Sequence, residues 1–165
     1  DMSSMFEGAT AFNSDIGSWD VSSVTGMNSM FERAVSFNGD ISKWNVSNVA
    51  NMSHMFAHAY TFNQDIGDWD VSSVKDIEHM FNSAFSFNRD ISSWDVSTVT
   101  EMNHVFRRAY SFDQDLSAWD ISGVTTMQGM FSGITLSTAN YDAILTGWSQ
   151  LDVQDEVIFD AGNSC

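Results

Sequence analysis

The sequence predicts an α/β fold: a right-handed solenoid with a parallel sheet on one face, short helices on the other, and a helix-plus-strand cap at its C-terminal end. Three observations predict it. The chain repeats every 25 residues without insertion, the apolar spacing changes character inside each repeat, and the register breaks after Phe131.

The repeat is carried by columns of like residues. Trp19, Trp44, Trp69, Trp94 and Trp119 form one, and Phe6, Phe31, Phe56, Phe81, Phe106 and Phe131 another. All ten methionines fall in two further columns, with Ile77 and Val105 filling the two gaps. Within a unit, Trp44-Asn45-Val46 alternates apolar and polar, as a short strand with one buried face does. Met52, Met55, Phe56 and Ala59 then stand at i, i+3, i+4 and i+7, the spacing of one face of a short helix. A unit this small cannot close its own core, so neighbouring units must stack, with strands about 4.8 Å apart.

Residues 1–134 hold five repeats and the start of a sixth, and residues 135–165 form a capping segment of the same structural domain. Ser137 is the expected N-cap of a helix whose apolar face is Tyr141, Ile144, Leu145 and Trp148. Val157-Ile158-Phe159 is the expected last strand. No matching cap precedes Asp1, so the other end is expected to be an open core edge or to continue into an array upstream.

Composition narrows the function. Twenty-two acids against six bases give a net charge of −16, a field that repels nucleic acid and anionic lipid and favours basic ligands and divalent cations. No apolar run approaches the ~18 residues of a membrane span, so this segment is not expected to insert. Cys165 is the single cysteine, which excludes an intrachain disulfide. An acidic, lysine-poor surface suits an extracellular or cell-surface setting.

Two acid columns are the candidate sites. Asp15, Asp40, Asp65, Asp90 and Asp115 follow Asn13, Asn38, Asn63, Asn88 and Asp113 by two residues, the spacing of turn chemistry. Their oxygens are expected on backbone N–H groups; as a ladder of acids they are also the candidate metal ligands, with calcium the candidate ion. Asp20, Asn45, Asp70, Asp95 and Asp120 stand between a buried Trp and a buried apolar residue, where packing asks for no acid. With Ser18, Asp68 and Ser93 on the same outward face, they are the candidate ligand-binding surface. His54, His79 and His104 share a phase with Ser4, Ser29 and Gly129, which reads as an exposed helix position. No nucleophile motif, phosphate loop or metalloprotease pair breaks the symmetry, so no catalytic site is expected.

The pattern MFxxAxxFNxDIxxWDVSxVTxM, running over residues 1 to about 134, resembles the BspA-like leucine-rich-repeat surface proteins, in particular the 25-residue repeat of mycoplasma-type lipoproteins. The tail LSTANYDAxLxGW, followed by VxFDAGNS, is similar to the end of bacterial members. The resemblance implies a leucine-rich-repeat-like fold and an extracellular adhesion or contact module without a catalytic centre. The functional expectation is therefore an interaction module that presents an acidic, serine-rich face to a basic protein or cell-surface ligand. The alternative is a calcium-rigidified structural repeat of an adhesin.

Overall fold

The computed structural model describes residues 1–160 and 162–164; Cys165 lies outside them. The 25-residue units do stack, but not as an α/β solenoid. Among the described residues the one helix, α1, spans Thr138–Trp148. The only strand-like pairing there is a file of single-residue parallel bridges, Gly26 to Asn51 to Asp76 to Glu101 to Thr126. Among the described residues there is no parallel sheet on one face and no row of short helices on the other.

Backbone hydrogen bonding explains the difference. The N–H groups of Met52, His54, Phe56 and His58 donate to the carbonyls of Asp76, Glu78, Met80 and Asn82 in the next unit, at 2.7–2.9 Å. The intervening N–H groups of Met55, Ala57 and Ala59 donate to Met52, His54 and Phe56, closing overlapping turns. Half of the donors thus join units and half stay local, so neither a strand nor a helix propagates. His54 and His58 both have φ of 59°, which is left-handed and stops a helix twice within five residues. The i, i+3, i+4, i+7 spacing of Met52, Met55, Phe56 and Ala59 survives because the successive turns bring these four side chains into the core.

The predicted strand at Trp44-Asn45-Val46 is likewise a run of turns, with Trp44 N–H donating to the Ile41 carbonyl. Its burial alternates as predicted, buried Trp44 and Val46 flanking exposed Asn45, without any ladder. On either side of it the N–H groups of Ser42 and Ser47 are taken by the Asp40 and Asn45 side chains instead of a neighbouring strand. Backbone groups left unpaired inside a protein are costly, and side-chain acceptors remove the need for a sheet.

The core is a double file of phenylalanines. Rings of one unit, such as Phe56 and Phe62, lie 3.9 Å apart, and each file repeats at 5.6–6.1 Å from unit to unit. Beside them each buried indole reaches back one unit: Trp44, Trp69, Trp94 and Trp119 donate Nε1–H to the carbonyls of Ile16, Ile41, Ile66 and Ile91. Burying the ring while satisfying its one polar atom is what a core asks of Trp.

The C-terminal segment ends this pattern with α1. Ser137 accepts from the Asn140 N–H as the expected N-cap, and Ile144 and Trp148 are buried. Tyr141 packs half-buried against the core, whereas Leu145 is 41% exposed. Trp148 stands 29 residues after Trp119 instead of 25, yet its Nε1–H still reaches the Leu116 carbonyl at 3.1 Å. The expected strand at Val157-Ile158-Phe159 is irregular chain; Phe159 packs edge-on against Phe131 and Trp148 while Ile158 is exposed. The contacts of that segment are ring packing, followed by the Asn163 N–H donating to the Ile134 carbonyl and the Leu136 N–H donating to the Ser164 hydroxyl.

Candidate interaction surface

The first acid column does the turn work expected of it. The Oδ1 atoms of Asp15, Asp40, Asp65, Asp90 and Asp115 accept the N–H two residues on, from Gly17, Ser42, Gly67, Ser92 and Ser117, at 2.8–3.2 Å. The backbone donors at Ser42 and Ser92 hold the carboxyls of Asp40 and Asp90 below the usual range.

The second column proves to be the same device. Oδ1 of Asp20, Asn45, Asp70, Asp95 and Asp120 accepts both the N–H and the hydroxyl of Ser22, Ser47, Ser72, Ser97 and Ser122. These residues are not outward positions on a strand, because no strand is there. Each is an exposed turn residue, and Oδ2 of Asp20, Asp70, Asp95 and Asp120 has no hydrogen-bond partner among the described residues. The serine hydroxyls, then the serine N–H groups, hold Asp20, Asp70 and Asp120 below the ordinary carboxylate range. Charge is thus fixed in place in rank along the stack.

Ser18, Asp68 and Ser93 are exposed, as expected, but their surroundings differ. Ser18 joins the first column, not the second: with Asp15, Asp40, Lys43, Asn13 and Asn38 it lines a shallow groove of about 460 Å³. The groove opens because Gly39 has no side chain there. In later units Gln64, Arg89 and Gln114 occupy that phase and strap back onto the preceding unit. Ser93 donates its hydroxyl to the Gly67 carbonyl, a strap of its own.

Among the described residues no three acids of the first column bring their oxygens within 4.8 Å of one another. The three acids whose oxygens come within 4.8 Å of one another are Asp76, Glu78 and Glu101, beside the bridge file. Asp76 is already engaged there, accepting from the Glu78 N–H and from the Asn51 amide. Sequence reasoning missed this group because it compared columns, whereas Glu78 comes from a neighbouring phase.

The histidines were also misplaced by reading them on a helix. His54 and His79 stack at 4.6 Å and His79 and His104 at 4.7 Å, each at left-handed φ. Their file ends at Gly129, where a Cβ would collide with the His104 ring, and His104 Nδ1 is buried without a partner. Burial first, then neighbouring His54, His104 and Arg107, pushes His79 down to about 4. The glycines Gly8, Gly129 and Gly133 in the two positive-φ phases were the signal available in the sequence.

Taken together, the molecule is a stacked-repeat protein with a polar surface built from turn residues. The chain matches the model of a Mycoplasma protein family of unknown function, DUF285, twice, over residues 1–84 and 63–159, and it belongs to that family. No curated protein and no solved structure matches it. Among the described residues no helix is long and apolar enough to cross a membrane.

Proposed function

We propose that this chain is a non-catalytic interaction or adhesion module, extracellular or at a cell surface, which presents fixed carboxylates to a basic protein or cell-surface ligand. The observation that carries the reading is the second column. Asp20, Asp70, Asp95 and Asp120 are each locked by a serine on one oxygen and open on the other. Preorganised charge of this kind binds cationic groups without first paying to order side chains. The resemblance to BspA-like surface proteins supports the same reading, and a net charge of −16 would steer a basic partner towards it.

The test uses a lysine-rich synthetic peptide. Binding should weaken as salt rises, and Asp70→Asn with Asp95→Asn should weaken it about tenfold. Asparagine keeps the turn, since Asn45 makes the same two bonds to Ser47. Binding that ignores both salt and the substitutions would remove the site. The alternative, a calcium-rigidified repeat, is tested by melting in calcium against chelator; an unchanged Tm removes it.

A further inference from the structure

One edge of the stack has the opposite chemistry to the acid columns. The phase that begins at Thr10 and Val35 continues as Tyr60, Phe85 and Tyr110 and ends at Thr135. The three rings stack on one another at 4.5 and 5.1 Å, yet Tyr60 is 39% and Tyr110 61% exposed. The stack is thus an aromatic stripe outside the phenylalanine core. Beyond Tyr110 no further ring follows, so the file stops with its most exposed member.

The bases gather beside this stripe. Of six in the chain, Arg33, Arg107 and Arg108 occupy two adjoining phases, two or three residues before the aromatic position. Among the described residues Arg107 and Arg108 have no ion pair, in a chain with 22 acids. Arg33 approaches only Glu32, at 3.9 Å, with its own side chain 63% exposed. Such a pair contributes little and leaves the guanidinium available. The local field agrees: after burial, Arg33 and Arg108 contribute to depressing His58, and Arg107 to depressing His79.

We propose that the edge formed by Tyr60, Phe85 and Tyr110 with Arg33, Arg107 and Arg108 docks an acidic segment of a partner protein. Tyrosine, phenylalanine and arginine are the residues enriched in protein interfaces and their energetic centres. The guanidiniums fit carboxylates in a fork, and the exposed surface of the stacked rings, largest at Tyr110, packs against apolar side chains. A long uniform polyanion suits this edge less well, because it would run on into a surface whose net charge is −16. A short segment mixing acids with apolar residues meets only the edge. This contact is independent of the acid columns and selects partners of the opposite charge.

The experiment titrates a fluorescent peptide of alternating glutamate and leucine against the intact chain, with a glutamine–leucine peptide and a sulfated polysaccharide as comparators. The glutamate peptide should bind in preference to both. Binding should weaken about tenfold in Tyr110→Ser and in Arg107→Gln with Arg108→Asn. Asparagine is chosen at 108 because Arg108 has φ of 55°, a region Asn tolerates. Asp70→Asn with Asp95→Asn should leave this binding intact and serves as the control on the other surface. Equal binding of the glutamine peptide, tighter binding of the polysaccharide, or no loss in variants with an unchanged Tm would each overturn the proposal.

Discussion

Two histidines in this chain that share a column differ in what lies above them. His104 meets the bare α-carbon of Gly129, and His79 is enclosed between two other imidazoles. Protonating His79 buries a charge between two other imidazoles and close to Arg107. Its folded value of about 4 lies below the ordinary 6.5, so the unfolded chain binds the proton more readily between those values. The stability that the neutral ring contributes is therefore present above pH 6.5 and is lost as pH falls towards 4. The depressed aspartates, Asp20, Asp70 and Asp120 among them, act in the same direction at still lower pH. Tm measured against pH should fall across the window from 6.5 to about 4. In His79→Asn, which keeps a residue tolerant of φ 56°, that part of the slope should flatten. An unchanged slope would mean that other groups set the acid limit.

At the scale of elements, one carboxylate joins the repeats to the start of α1. Asn13, Asn38, Asn63 and Asn88 each accept the N–H of the residue 25 positions on, forming a ladder that ends at Asp113. Asp113 passes it to the helix, accepting from the Ser137 N–H and hydroxyl and from the Asn140 amide. Burial raises this carboxyl, but the three donors outweigh it and hold it low. Asp113→Ala should cost about 1–3 kcal/mol, read as faster hydrogen exchange in Thr138–Trp148 before the repeats open. Asp113→Asn keeps an acceptor and should cost less. The helix itself was legible, because Ser137 and the spacing of Ile144 and Trp148 are local signals. The repeat elements were not: apolar spacing at Met52, Met55, Phe56 and Ala59 is shared by a helix and by chained turns. Only the left-handed phases, marked by Gly8, Gly129 and Gly133, tell them apart. The acid columns were half legible for the same reason. Asp65 and Asp70 make the same bond, from Gly67 and Ser72, and the sequence distinguished them only by assuming a strand.

For the whole molecule, order comes from register, not from any single element. Backbone bonds between repeats span a near-constant separation, 24 residues for Phe56 N–H to the Met80 carbonyl and 25 for Lys75 N–H to the Ala50 carbonyl. Trp44, Trp69, Trp94 and Trp119 each reach back 28 residues to a carbonyl. Stability in such an array is a sum of unit and neighbour terms, so an interior unit is removable if its neighbours meet in phase. Deleting residues 63–87 joins Phe62 to Asn88, which then offers its N–H to Asn38 as Asn63 did. That variant should unfold cooperatively with a lower midpoint in denaturant and a smaller m-value, since less surface is buried. Deleting residues 63–86 removes one residue fewer and joins Phe62 to Phe87. Every column beyond the junction is then one place out, with Asp90 and Asp95 set against Ile41 and Val46, and Phe87 and Trp94 against Asn38 and Asn45. It should lose the cooperative transition altogether. Equal stability of the two deletions would show that local turns, and not the 25-residue register, hold the stack.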